Sequence, residues 1–235
     1  MPLDWSWKKV HNGLSRRRKL LAVVLGGFVL PWAGFVLLAQ KVRLAGGFAH
    51  DKTVLAFLRQ SATPGQDKLA VALTDLGDSG PMITLGVLVA LSLTLRRHRR
   101  QAVVFTAAVG GSMVLTQVLK ALFARPRPDL WVSIKPVHTF SFPSGHAMDT
   151  AALATAGIFL LWQFRARWLA WPWLPLFALG VGWSRMYLGV HYPSDVLAGW
   201  LSATGWVTGV YLLFAPVFQE LSQAPEAVNE PPRAV

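Results

Sequence analysis

The chain of 235 residues contains no cysteine, and only 14% of its residues are charged. The absence of cysteine excludes disulfide bonds, thiolate catalysis and zinc sites with cysteine ligands. The low charge excludes an ordinary soluble domain, in which about 25% of residues are charged, because too few polar side chains remain to cover a surface that faces water on all sides. Hydrophobic residues make up 53% of the chain, and the composition therefore predicts a membrane protein.

Acidic residues are also scarce: 11 aspartates and glutamates stand against 23 lysines and arginines, for a formal net charge of +12. The positive residues lie mainly in short runs beside apolar segments, at 16–19, 96–100 and 165–167. Such runs mark the cytoplasmic flanks of membrane helices and contact anionic lipid headgroups. No basic face with interleaved aromatic residues accompanies them, and nucleic-acid binding is not expected.

Six apolar stretches are long enough, or nearly so, to cross a bilayer, which takes about 20 residues. They cover residues 20–41, 79–95, 102–123, 145–164, 169–190 and 195–217. If the stretches alternate in direction, the three basic runs fall on one side, which the positive-inside rule assigns to the cytoplasm. The sequence thus predicts an all-α bundle of six transmembrane helices with both termini cytoplasmic.

The connecting loops on the opposite, outer side are 42–78, 124–144 and 191–194. Within the first loop, apolar residues recur with helical spacing at 54–58 and 69–73, which predicts one or two short amphipathic helices on the membrane surface. These helices form either a packed cap, the simpler interpretation, or a lid over a lipid entrance. The C-terminal tail, 219–235, has little apolar content and is predicted to be disordered.

Three polar clusters break the apolar pattern inside or at the ends of the predicted membrane helices, where ionisable groups are costly and usually functional. All three fall on the predicted outer side. The first has Lys120 in the last turns of the third stretch and Arg127 between Pro126 and Pro128, which stop that helix. Two fixed cations suit a phosphate, since arginine offers a planar fork and lysine a point charge. Alone, they would more simply be residues that snorkel to the membrane interface.

The second cluster opens the fourth stretch. Ser144 is predicted to be the N-cap of that helix. The backbone N–H groups that follow Gly145 form an anion site at the positive end of the helix dipole. His146 stands at the edge of this site, where it can donate a proton.

The third cluster runs from Ser184 to Asp195. Arg185 lies near the outer end of the fifth stretch, and His191 follows in a short turn. Pro193 is predicted to be the first residue of the sixth helix, which places Asp195 in its first turn. Asp195 can then accept a hydrogen bond from one nitrogen of His191 and leave the other basic and directed at substrate.

The three clusters together supply cations, a backbone anion site, two histidines and a carboxylate. This set matches phosphoryl transfer through a phosphohistidine, in which one imidazole attacks phosphorus and the other protonates the leaving oxygen. The acidic residues do not form the clustered carboxylates of a two-metal phosphatase, and no metal or other cofactor is expected. Asp129 and Asp149, which lie near the clusters, are assigned structural or entrance roles.

The clusters resemble the three-part signature of the type 2 phosphatidic acid phosphatase (PAP2) superfamily. The matching elements are Lys120-x6-Arg127-Pro128, Pro143-Ser144-Gly145-His146 and Ser184-Arg185-x5-His191-x3-Asp195. The resemblance implies a PAP2-like domain over 1–218, with His191 as nucleophile, Asp195 as its partner and His146 as general acid. It implies that the phosphate is held by Lys120, Arg127, Ser144, Gly145 and Arg185.

The resemblance further implies a metal-independent phosphatase of lipid phosphates in the cell (inner) membrane, with its active site on the periplasmic or extracellular side. Undecaprenyl diphosphate is the first candidate substrate, followed by phosphatidylglycerophosphate, phosphatidate and a lipid A phosphate. The alternatives are a lipid phosphotransferase, a haloperoxidase and, from another class, a transporter or scaffold with a structural polar cluster. The expected partners are a lipid phosphate and membrane lipids.

Overall fold

The computed structural model describes residue 18 and residues 20–162 and 171–222, without the side chains of 215–222. Every regular element in this part of the chain is helical, which confirms the all-α prediction. The helices are α1 (Leu20–Ala45, π-helical over Val24–Val29), α2 (Ala49–Gln60), α3 (Pro64–Leu76), α4 (Ser79–Leu95), α5 (Arg99–Phe123), α6 (Gly145–Leu161), α7 (Trp173–Tyr187) and α8 (Pro193–Ser222).

Three of the described helices are long and apolar enough to cross a membrane: α1, α5 and α8 up to Phe214. The number is four if α3 and α4, which bend by 46° at the break between them, form one span. Helix α6 is apolar but shorter. Residues 163–170, which hold the third basic run, lie outside the described residues. The count of six spans therefore stays a prediction.

The segment 42–78 contains two helices, α2 and α3, in agreement with its helical spacing. Each has a buried and an exposed face: Leu55 and Ala70 are fully buried, whereas Phe57 and Leu69 are exposed. Helix α3 begins at Pro64, and the Thr63 hydroxyl accepts a hydrogen bond from the Gln66 backbone N–H at 3.3 Å. At the other end of the chain, α8 extends through Ser222, so 219–222 are helical, while the rest of the predicted tail lies outside the described residues.

Helix α6 occupies the centre of the bundle and packs against α4, α5, α7 and α8. Its buried residues include many alanines, and such small side chains let neighbouring helices approach closely. The backbone N–H of Ser144 donates to the Asp195 carbonyl at 3.0 Å, which joins the start of α6 to the start of α8. The ends of α1, α5 and α7 therefore lie with the starts of α4, α6 and α8 at one end of the bundle, here called the site end.

Candidate active site

Helix α5 delivers the first two predicted phosphate ligands to the site end. It ends where Ala124 adopts a left-handed φ of 44°, and Lys120 lies in its last turn. The Lys120 Nζ donates to Thr139 Oγ1 at 3.2 Å, and Arg127 donates to the Thr139 carbonyl at 2.6 Å and to its hydroxyl at 3.0 Å. Burial lowers the pKa of Arg127 to about 10, so it stays charged at neutral pH. Thr139 thus fixes the two cations side by side.

His191 lies in the turn between α7 and α8 and is 1% exposed. The Arg127 Nη1 lies 3.0 Å from the His191 Nε2. Because a guanidinium has only donors, Nε2 is the acceptor and the proton of the neutral ring lies on Nδ1. Burial, and then the positive charges of Arg127 and Arg185, lower the pKa of His191 well below its usual value. The ring is therefore neutral at pH 7.

The direct hydrogen bond predicted between His191 and Asp195 is not formed, since Nδ1 and Oδ2 are 3.7 Å apart. The Ser141 hydroxyl lies between them, 3.5 Å from Nδ1, and it donates to the Asp195 Oδ2 at 2.5 Å. The physical reason is Arg125, whose Nη1 contacts the other carboxylate oxygen and holds Asp195 in this position. Asp195 therefore reaches His191 through Ser141.

Arg185 and Ser144 are buried and keep donors free. The Arg185 Nη1 donates to Thr74 of α3, but its Nε and Nη2, like the Ser144 hydroxyl, have no hydrogen-bond partner among the described residues. Ser144 holds the N-cap position of α6, as predicted, yet its side chain makes no capping bond. An unsatisfied buried donor costs about 1–3 kcal/mol, and an anion that accepted from these groups would remove that cost.

The anion site predicted at the start of α6 lies beside Lys120. A Cβ added to Gly145 would lie 3.6 Å from the Lys120 Nζ. His146 follows, with its Nε2 3.5 Å from Asp78, the N-cap of α4. In the same turn of α6, Asp149 accepts a hydrogen bond from Ser79 at 3.0 Å and ties α6 to α4, in line with a structural role.

The structure thus brings all eight predicted residues to the site end, and it adds residues that the sequence did not single out. These are Asp51, Thr74, Asp78, Arg125, Thr139 and Ser141. Three of them come from the loop 42–78. The buried carboxylate of Asp51 offered a signal, because an ionisable group on the apolar face of a helix is costly. Serine and threonine in loops are common and offer none.

A model of the PAP2 superfamily matches residues 101–218, half of the chain, and this range contains all three motifs. The chain belongs to the PAP2 superfamily. This chain is 26% identical over 170 residues to phosphatidylglycerophosphatase B of Bacillus subtilis, and the match covers 70% of this chain and 83% of that protein. It is 28% identical over 182 residues to an undecaprenyl-diphosphatase of Sulfolobus acidocaldarius, covering 74% and 84%.

The fold of this chain is similar to that in the crystal structure of a transmembrane PAP2-type phosphatidylglycerolphosphate phosphatase from Bacillus subtilis. The TM-score is 0.72 at 24% sequence identity, and the match covers 84% of this chain and 98% of that chain. The predictions of a multi-pass membrane protein and of a phosphatase that hydrolyses phosphoric esters or anhydrides are confirmed.

Gly189 sets the path of the chain into His191 of this PAP2 site. Its φ is +70°, and an added Cβ would lie 2.5 Å from the Trp131 ring. A left-handed conformation costs other residues about 1–2 kcal/mol. Gly189→Ala should therefore lower the melting temperature by about 2–8 °C and cut phosphate release at least about tenfold by displacing the imidazole. Gly65→Ala, where a Cβ meets nothing, should lower neither. Wild-type values for Gly189→Ala would contradict this account.

Proposed function

We propose that this protein removes phosphate from a lipid phosphate or diphosphate through a phosphohistidine formed on His191. The observation that carries the proposal is the state of the His191 ring, which is buried, neutral and protonated on Nδ1. Such a ring can attack only through Nε2. That atom faces Arg127, and the unpartnered donors of Arg185 and Ser144 lie at the same end of the bundle.

The reaction has two steps. The phosphate oxygens take the donors of Arg127 and Arg185, which frees Nε2 of the nucleophile. Nε2 then bonds to phosphorus while the bond to the leaving oxygen breaks, and His146 gives that oxygen a proton. The phosphorylated ring keeps its Nδ1 proton and is positive, and Asp195 stabilises it through Ser141. Water next attacks phosphorus and gives a proton to His146, and the P–N bond breaks to release inorganic phosphate.

The position of the site supports a lipid substrate at the outer membrane face. The basic run 96–100 joins the far ends of α4 and α5, opposite the site end, and basic runs favour the cytoplasm. Six spans with cytoplasmic termini fit this arrangement. An apolar cavity of about 910 Å³ lies among α1, α6, α7 and α8 and follows α6 from Ala151 to Trp162. It begins about a turn beyond His146 and has room for a hydrocarbon chain.

Undecaprenyl diphosphate and phosphatidylglycerophosphate are the proposed substrates, with a lipid A phosphate as the alternative. Relatives that act on the first two are similar to this chain over most of their length. The cluster binds the phosphate that all these lipids share, so the apolar cavity and the outer helices would select among them. Lys120, Arg127 and Arg185 supply the positive charge that the transferred group needs, and the proposed mechanism uses no metal.

The test is phosphate release by the purified protein in lipid nanodiscs. Undecaprenyl diphosphate, phosphatidylglycerophosphate, phosphatidate and lipid A are compared, each with and without an acceptor lipid. We expect inorganic phosphate from at least one substrate, inhibition by vanadate, which mimics five-coordinate phosphorus, and no effect of EDTA. A phosphorylated acceptor would indicate a phosphotransferase instead. Inactivation by EDTA would contradict the metal-free mechanism, and no release from any substrate would contradict the proposed function.

A further inference from the structure

Arg125 lies between two buried carboxylates at the site end. Its Nη1 contacts the Asp195 Oδ1 and donates to the Ser194 hydroxyl at 2.9 Å. Its Nη2 donates to the Asp51 Oδ2 at 3.0 Å and to the Gly46 carbonyl at 2.8 Å. Arg125 and Asp51 are each 5% exposed, and Asp195 is 0% exposed. One guanidinium and two carboxylates therefore form an ion cluster shielded from water, here called the Asp51–Arg125–Asp195 cluster.

Hydrogen-bond donors surround both carboxylates of the cluster. The Asp51 Oδ1 accepts from the Ser194 backbone N–H at 3.1 Å, and its Oδ2 accepts from the Ser194 hydroxyl at 2.6 Å. The Asp195 Oδ2 accepts from the Ser141 hydroxyl at 2.5 Å and from the Tyr192 backbone N–H at 2.9 Å. Each of the four carboxylate oxygens also accepts from a guanidinium or a backbone N–H, groups that can only donate. One guanidinium and two carboxylates in this arrangement give the cluster a net charge of about −1.

The third charge matters for the reaction. An isolated Arg125–Asp195 pair would be neutral and would stabilise a positive imidazole only weakly. Asp51 shares the guanidinium and restores a negative charge to the cluster. We propose that Asp51 is a positioning residue that acts through Arg125 to keep the Asp195 carboxylate effective as the partner of His191. This inference rests on the proposed function, in which that imidazole is the nucleophile.

The positive groups around His191 make a negative charge near the ring necessary. The titratable and charged groups that face the ring are Lys120 of α5, Arg127 of the following loop, His146 of α6, Arg185 of α7 and Asp195 of α8. All of these except Asp195 disfavour a positive ring. The negative cluster opposes them during formation of the phosphohistidine.

Helix α2 acquires a role in the reaction from this arrangement. Asp51 binds both the backbone and the hydroxyl of Ser194, the second residue of α8. Two residues of the predicted cap, Asp51 and Thr74, thus contact groups that hold or form the site. The outer helices are part of the catalytic scaffold and not only its cover.

The test measures kcat/KM as a function of pH for the wild type and for two variants, one that removes a negative charge from the cluster and one that removes a positive charge. The acid limb of this profile reports protonation of the nucleophile. Asp51→Asn removes a negative charge, which makes the protonated ring less stable, so the limb should move to lower pH by about 0.5–1 unit. The plateau should fall about tenfold, by weaker stabilisation of the phosphorylated ring. Arg125→Gln removes a positive charge and should move the limb to higher pH.

Combining Asp51→Asn with Arg125→Gln leaves Asp195 alone and should return the limb towards its wild-type position. The control is Asp129→Asn, which removes an exposed carboxylate at the same end of the bundle and should leave the limb in place. Lower plateaus without limb shifts, or shifts of both single variants in the same direction, would overturn the inference. If Asp51→Asn does not fold, Arg125→Gln alone provides the test. An acid limb that does not move to higher pH in this variant overturns the inference.

Failure of the proposed function would look different from failure of this inference. In that case the wild type would release no phosphate, or His191→Ala would be as active as the wild type. Both are measured before the cluster variants are compared. If the enzyme is active and depends on His191, but its acid limb stays at the same pH when the charge of the cluster changes, only the role of Asp51 is overturned. The proposed function then remains.

Discussion

Replacement of His191 by alanine is expected to reduce phosphate release by at least about 10³-fold, or about 4 kcal/mol of transition-state stabilisation. The reason is that the variant loses Nε2, the proposed nucleophilic atom, which lies 3.0 Å from the Arg127 Nη1. Water would then have to attack phosphorus directly, without a covalent intermediate. The measurement is kcat/KM for the best substrate of the panel.

The matched control is His98→Ala, which removes an exposed imidazole at the far end of α5 and should leave the rate unchanged. A second measurement identifies the atom that is phosphorylated. Wild-type protein mixed with substrate carrying a radiolabelled phosphate and quenched in alkali, which preserves phosphohistidine, should carry the label on the peptide that contains His191. Wild-type activity of His191→Ala, or label on another residue, would contradict the mechanism.

The parts of the site that follow local rules could be predicted from the sequence. Pro193 opens α8 and places Asp195 in the first turn, because proline fits the first position of a helix. Ser144 takes the N-cap position of α6, and Lys120 falls in the last turn of α5. Each of these placements depends only on residues a few positions away.

The contacts around His191 could not be predicted, because they depend on how distant segments pack. Asp51 is 74 residues from Arg125 and 143 residues from Ser194 in the sequence. The spacing of the sequence does place Asp51 on the same face of α2 as Leu55, one turn away, and both residues are buried. Nothing local, however, indicates that Ser141 stands between His191 and Asp195. The hydroxyl reaches that place because the loop 124–144 folds against the start of α8.

The membrane spans illustrate a different limit of the sequence. Apolar length predicts where a helix can cross, but α6 has 17 residues and α7 has 15 among those described. Both helices border residues 163–170, which lie outside the described part of the chain. The proposed catalytic residues depend on the other ends of these helices, where α6 begins and α7 stops. The described helix ends therefore fix the positions of the site residues, whereas the lengths of these two spans depend on residues 163–170.

Replacement of His146 by alanine is expected to lower kcat/KM by about 10²–10⁴-fold for phosphatidylglycerophosphate and much less for p-nitrophenyl phosphate. A general acid matters most when the leaving oxygen would otherwise depart as an alkoxide. Nitrophenolate departs without a proton, and kcat/KM reports only the steps up to its release. The two substrates are assayed in parallel with the wild type, and His50→Ala, an exposed histidine of α2, is the control.

The same variant should expose the second step of the reaction. Water attack on the phosphohistidine still lacks its base, so the phosphorylated form of His146→Ala should accumulate on p-nitrophenyl phosphate. A stoichiometric burst of nitrophenolate followed by slow turnover is therefore expected in rapid-mixing experiments. Equal losses of kcat/KM on both substrates, without a burst, would instead assign His146 to phosphate binding. The difference between these outcomes separates a proton donor from a ligand of the phosphate.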